Sequence, residues 1–282
     1  MTKIFGIDVS RYQGNIDWAK AKANGVKFAM LKTVSTNKAY GGIYIDPLFE
    51  RNYAECKRLG IPVGVYYYTY AQNKATADAE LAMFKKAIAG KQFEFPLVVD
   101  VEDNLLKPLS KAALTDLVEY AVKTIEGWGC YAMVYTYLYY SRNELDMARL
   151  AKYDLWIAHY AKACGYTGAH GMWQYTSTGK VAGVSGNCDC NWAYKDYSTI
   201  IKKAGLNGFD KADKPLAGEN GAQAVSYTRE IGPAVREDWT RLADKAEALG
   251  LRVNAKLTIG PMTGGDDVAI QALAAELGLE CK

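Results

Sequence analysis

Short apolar runs alternate with segments of helical periodicity over about the first 200 residues. Segments 3–9, 26–33, 62–70, 96–102, 131–137, 155–160 and 171–176 read as strands, and 16–24, 46–59, 76–89 and 111–128 read as helices. The helix at 46–59 spaces Phe49, Tyr53 and Cys56 along one face and stops at Gly60. The unbroken runs Pro96-Leu-Val-Val and Tyr131-Ala-Met-Val-Tyr suit strands covered on both faces. This alternation predicts an α/β chain with a β/α barrel. Fewer helices separate the later strands, so a perfect eightfold repeat is not expected.

The pattern changes near residue 206. Residues 206–222 are rich in Gly, Asn, Asp and Lys and read as a linker. Behind it Ile231-Gly-Pro returns as Ile259-Gly-Pro, and Ala248-Leu-Gly-Leu returns as Glu276-Leu-Gly-Leu, both 28 residues on. Two strand–helix units of this kind predict a small α+β domain over 223–282. The expected organisation is a barrel over 1–205, the linker, and this second domain. Its sheet edges could pair two chains into a homo-oligomer.

Lys and Arg number 34 against 31 acids, a net charge of +3, so neither nucleic acid nor membrane insertion is expected. No apolar run approaches the roughly 20 residues that span a bilayer. The start has one Lys and a short apolar stretch broken by Asp8, unlike a secretory leader. Cys56, Cys130, Cys164, Cys188, Cys190 and Cys281 are expected as free thiols. Cys188 and Cys190 with His159 and His170 lack paired metal-ligand spacing, so no metal and no cofactor are expected.

The composition stands out in its 21 tyrosines, beside 6 Trp and 7 Phe, a supply of amphipathic rings that fits a sugar-holding groove. The acids Asp8, Asp100, Glu102 and Asp189 stand where strands are expected to run out, and a β/α barrel gathers such ends on one rim. Asp100 and Glu102, two apart on a strand, point the same way with Cβ atoms roughly 6–7 Å apart. That spacing suits glycoside hydrolysis by a proton donor and a carboxylate, with burial and repulsion keeping one protonated near neutral pH. Tyr66, Tyr68, Tyr135, Trp156, Tyr160, Trp173 and Gln174 also fall at strand ends and are candidates for sugar contacts, although half of such rings belong in the core.

Gly6-Ile-Asp-Val-Ser-Arg-Tyr-Gln-Gly-Asn-Ile-Asp-Trp, Gly64-Val-Tyr-Tyr-Tyr, Val99-Asp-Val-Glu, Leu155-Trp-Ile-Ala-His-Tyr, Trp173-Gln-Tyr-Thr and Val181-Ala-Gly-Val-Ser-Gly-Asn-Cys-Asp-Cys-Asn occur in this order. Over about residues 3–203 the chain resembles the glycoside hydrolase family 25 lysozymes. The resemblance implies a modified TIM-like barrel that cleaves the β-1,4 bond between N-acetylmuramic acid and N-acetylglucosamine in bacterial peptidoglycan. It implies Glu102 as general acid, Asp100 as the carboxylate that steadies a reacting 2-acetamido group, and Asp8 and Asp189 as the rest of an acidic floor. Tyr67 and Val101 stand where the family often has other aromatics. The second domain is similar in architecture to small peptidoglycan-binding modules of the SPOR type. A phage endolysin, made in the bacterial cytoplasm and released to act on the wall, fits a chain without an export signal. The alternatives are a hydrolase of another N-acetylated polysaccharide, such as chitin, and a non-catalytic wall lectin.

Overall fold

The computed structural model describes residues 3–37 and 42–210. The linker beyond 210 and the second domain expected at 223–282 lie outside the described residues. Within them the strands are β1 (Ile4–Val9), β2 (Phe28–Asn37), β3 (Gly42–Ile45), β4 (Val63–Tyr68), β5 (Leu97–Asp100), β6 (Ala132–Tyr137), β7 (Asp154–Ala158), β8 (Met172–Gly179) and β9 (Cys188–Ala193). The helices are α1 (Trp18–Ala23), α2 (Phe49–Leu59), α3 (Lys74–Ile88), α4 (Lys111–Gly127), α5 (Leu138–Asn143), α6 (Met147–Leu150) and α7 (Tyr197–Ala204). None of these helices is long and apolar enough to cross a membrane.

The strands run β1-β9-β8-β7-β6-β5-β4-β2 and close through β1–β2, with β3 added to β2 as a hairpin. Apart from the antiparallel β2–β3 hairpin, the pairings among β1 to β8 are parallel, whereas β9 is antiparallel to both β8 and β1. The barrel is therefore TIM-like with one reversed strand, and the expected loss of the eightfold repeat falls at β9. The short β3 and the helices α5 and α6 escape the apolar pattern because each is too brief to show a period, whereas α7 buries Tyr197 and Ile201 four residues apart on one face.

Side chains alternate between two cores. One lies between the sheet and the helices. There α4 buries Leu114, Val118, Ala121, Val122 and Ile125, one helical face, against the sheet. The other fills the barrel with Phe28, Met30, Val98, Met133, Trp156 and Met172. Its lower end is sealed by Tyr197 and Ile201 of α7, with Phe28 and Phe95 stacked 4.2 Å apart beside them. Gly6 and Gly64 leave room for this packing. A Cβ on Gly6 would stand 2.4 Å from the Phe28 ring, and one on Gly64 2.5 Å from Met30 Sδ.

The segment expected to open the linker belongs to the barrel instead. Asn207, buried and left-handed at φ 56°, accepts the Tyr131 N–H at 2.7 Å. Its amide donates to the carbonyls of Phe93 at 3.0 Å and Phe95 at 2.9 Å. Over 206–210 this Asn satisfies three backbone groups, and Leu206 and Phe209 pack against the inner core, which ties these residues to the barrel. Asn207→Ala strands those groups at about 1–3 kcal/mol each when unsatisfied. Thermal melting of the full chain, followed by near-ultraviolet circular dichroism, is expected to show Tm lower by roughly 5–10 °C. An unchanged Tm would show that 206–210 is not part of the barrel's stability.

Candidate active site

The reversed β9 determines where the acids meet. Asp8, near the end of β1, pairs in register with Asp189, the second residue of β9. Asp189 thus sits where a strand begins rather than where one runs out, yet the antiparallel direction brings it to the same rim. Asp100 ends β5, opposite Tyr135 of β6. Glu102 lies beyond the strand, but the Val101 N–H still donates to the Tyr135 carbonyl at 2.9 Å, so the extended path continues to it.

A chain of polar contacts links these groups. Asp8 Oδ2 accepts Nδ2 of Asn191 at 2.8 Å and Nε2 of Gln174 at 2.9 Å. Oε1 of Gln174 accepts the hydroxyls of Tyr135 and Tyr160, each at 3.0 Å. The Tyr135 hydroxyl is also 3.4 Å from Glu102 Oε2. It has one hydrogen, for which Gln174 and an ionised Glu102 compete, and the shorter contact is the one to Gln174. On the other flank Trp156 Nε1 donates to Asn191 Oδ1 at 2.9 Å. Asp100 is buried, and its Oδ1 has no hydrogen-bond partner among the described residues.

Every acid of the cluster is pushed toward its neutral form. Burial raises Asp8 to about 6, against the hydrogen bonds of Asn191 and Gln174. Burial, then the charge of Asp8, raises Glu102 to about 7, while the Tyr135 hydroxyl and Lys32 oppose the rise. Burial and Asp8 raise Asp189 to about 8. Burial and Glu102 push Asp100 well up, and Lys32 opposes them. Repulsion within the pair is thus secondary to desolvation, which the spacing of Asp100 and Glu102 does not reveal.

The aromatic candidates divide. Tyr135 and Tyr160 touch the polar network directly, and Tyr160 is exposed. Tyr66 is buried edge-on to Trp156 at 6.1 Å, and its hydroxyl is held far up by burial and by Asp8, Asp100 and Asp189. The Tyr68 hydroxyl donates to Asp103 Oδ2 at 3.0 Å, and the Lys32 ammonium lies 4.6 Å from the centroid of its ring. Trp156 is 1% exposed and holds Asn191 from beneath, so it offers no ring face to a ligand. Trp173, 5% exposed, donates to the His159 carbonyl and packs in the outer core, one residue out of phase with Gln174. Asn191, Lys32 and Asp103 were not among the sequence candidates. Asn191 was within reach, being two residues from Asp189 on a strand, and so was Lys32, a cation inside an apolar run.

Cys188 and Cys190 are buried free thiols in the outer core, behind Asp189. Among the described residues no three of His, Cys, Asp and Glu are grouped to hold a metal ion.

The raised carboxyls tie stability to pH. Each binds its proton more tightly in the folded chain than in the unfolded one. Their stabilisation is complete below the unfolded values near 4 and is lost as pH rises through about 6 to 8. Tm of the full chain is expected to decline between about pH 5 and 9, and Asp189→Asn should make the decline shallower. A Tm that rises across that window would overturn the desolvated cluster.

The family model for glycosyl hydrolases family 25 matches residues 7–184, a span that holds Asp8, Asp100 and Glu102 and stops just short of Asp189. The chain is 32% identical over 196 residues to the uncharacterized protein YegX of Escherichia coli (strain K12), across 67% of this chain and 68% of that one. It is 30% identical over 204 residues to Lysozyme M1 of Streptomyces globisporus, across 66% of each. The modular autolysin LytC from Streptococcus pneumoniae superposes with a TM-score of 0.60 at 26% identity, covering 68% of this chain and 47% of that one. A closed barrel with these acids on its rim, matched over more than half its length by the family model, belongs to glycosyl hydrolase family 25 and is a glycoside hydrolase.

Proposed function

We propose that the barrel is a lysozyme-type muramidase, cleaving the β-1,4 bond between N-acetylmuramic acid and N-acetylglucosamine in bacterial peptidoglycan. The observation that carries this is Asp100 Oδ1, a buried carboxyl oxygen without a hydrogen-bond partner among the described residues, beside Glu102, whose burial favours its protonated form. A buried acceptor of this kind costs about 1–3 kcal/mol until a donor reaches it. The N–H of a 2-acetamido group supplies that donor and favours the charged form of Asp100.

Glu102 is the proton donor. It is less deeply buried than Asp100, and its proton passes to the glycosidic oxygen as the bond to the anomeric carbon breaks. The acetamido oxygen, steadied through its N–H by Asp100, forms the new bond to that carbon, and water later opens the ring so formed. Asp8 and Asp189 flank the developing positive charge, which favours their ionised forms as it builds up, with Asp8 held in place by Asn191 and Gln174. Tyr135 and Gln174 connect the donor to this floor. Tyr66, Tyr68 and Tyr160 are read as sugar contacts. Residues 223–282 are read as a wall-binding module, and release from a host cell in the manner of an endolysin fits the whole chain.

Analysis of products from purified walls is the direct test, since a muramidase leaves new reducing ends on muramic acid. Glu102→Gln is expected to lower the rate about 10²–10⁴-fold with the fold intact, and kcat/KM of the unmutated enzyme should fall as pH rises through about 7. Undiminished lysis by Glu102→Gln would remove it as the donor. A chain ending at Asp210, which keeps Asn207, should bind walls less and lyse intact cells more slowly, with soluble fragments cut at a similar rate. Equal binding and lysis by both chains would leave 223–282 without a tethering role.

A further inference from the structure

Five large hydrophobic side chains are exposed among the described residues: Tyr12, Leu105, Tyr139, Tyr160 and Ile200. Four of them follow the C-terminal ends of β1, β5, β6 and β7, on the rim that carries the acids. Two of the rings hold a cation. The Arg11 guanidinium lies 4.8 Å from the Tyr12 ring centroid, with Nη2 donating to the Tyr12 hydroxyl at 3.0 Å, and 5.5 Å from the Tyr44 centroid. The Lys107 ammonium lies 5.4 Å from the centroid of Tyr139. Around the closed barrel β6 is the strand farthest from β1 in either direction. The Arg11 pair after β1 and the Lys107 pair after β5 and β6 therefore stand on opposite sides of the acidic centre.

This arrangement has a charge logic. The four buried carboxyls at the centre accept uncharged, amide-bearing sugars, whereas a carboxylate laid over them would lose its water and meet the charge of any member that is ionised. A polymer that carries carboxylates must turn them outward, to where Arg11 and Lys107 stand. Peptidoglycan is such a polymer, because the lactyl group of each muramic acid bears a peptide with free carboxylates. A cation held on a flat ring offers such a peptide both a partner for its carboxylate and an apolar surface for its aliphatic parts.

We propose that Arg11 with Tyr12 and Lys107 with Tyr139 form two outlying subsites for the carboxylate-bearing peptides of the glycan, so that the enzyme selects peptide-substituted chains over bare ones. This rests on the muramidase reading and adds to it the part of the substrate that sets preference.

The test uses the full chain and two soluble substrates, glycan fragments with their stem peptides and the same glycan after an amidase has hydrolysed the lactyl–peptide amide, which removes the peptide carboxylates and leaves only the lactyl carboxylate close to each sugar. The quantity read is the ratio of kcat/KM on the first to that on the second. The unmutated enzyme should favour peptide-bearing glycan. Arg11→Gln and Lys107→Gln should each lower the ratio about threefold and the double variant about tenfold, which is about 1.4 kcal/mol. Raising salt from about 0.05 to 0.5 M should lower the unmutated ratio too, because exposed charges are screened. Lys107 is exposed, so its variant keeps the test open even where an Arg11 variant folds poorly. Cleavage of both substrates with a ratio near one, or a ratio unmoved in Lys107→Gln and the double variant, overturns the subsites and leaves the muramidase reading standing. Failure of the unmutated chain to cut either substrate overturns both.

Discussion

The antiparallel insertion of β9 between β8 and β1 is the constraint on which the site depends. A parallel strand in that place would bring its own C-terminal end to the rim, and residues at its start would lie at the sealed bottom. Reversed, β9 delivers Asp189 opposite Asp8 and places Asn191 one pleat deeper, where it bonds both Asp8 and Trp156. The same strand turns Cys188 and Cys190 into the outer core. One change of chain direction thus supplies an acid, the amide that orients another acid, and two buried thiols for the outer core.

Desolvation then converts geometry into chemistry. Carboxyls on an open surface would be ionised at neutral pH and could not donate a proton. Enclosing four of them shifts each upward, and the cluster holds protons that no single member would keep in water. The burial that achieves this also costs stability, because ionised groups remain unfavourable in the cluster as pH rises. The barrel offsets that cost below the site. Phe28, Met30, Met133 and Met172 fill the interior, α7 seals it, and Gly6 and Gly64 give up their side chains so that larger neighbours can meet.

Much of this was legible from residues alone. Runs such as Pro96-Leu-Val-Val showed the strands because burial on both faces demands continuous apolar side chains, and i, i+2 alternation placed Asp100 beside Glu102. The barrel's closing direction was not legible, since nothing in Cys188–Ala193 distinguishes a parallel from an antiparallel strand. Trp156 and Trp173 show the limit of inference from position. Both fall within segments that end at the rim, yet one is too deep in the barrel and the other is out of phase with Gln174. Asn207 shows a different limit. A polar residue in a polar stretch looks like linker until the backbone groups it satisfies are known.

The distribution of polar side chains completes the division of labour. In the barrel interior, the amides and acids of Asp8, Gln174, Asn191 and Asp100 lie above an apolar plug. The network from Trp156 through Asn191, Asp8 and Gln174 to Tyr135 and Glu102 crosses the barrel mouth from β7 and β9 to β5. A proton lost from Glu102 therefore changes the hydrogen bond of Tyr135, and through it the tie between Gln174 and Asp8. The donor and the opposite side of the floor are linked by hydrogen bonds of 2.8 to 3.4 Å, most of them between buried groups, where a bond is stronger than it would be in water. Burial and mutual repulsion raise the acids while the amides between them oppose the rise, so the amides belong to the site as much as the carboxyls do.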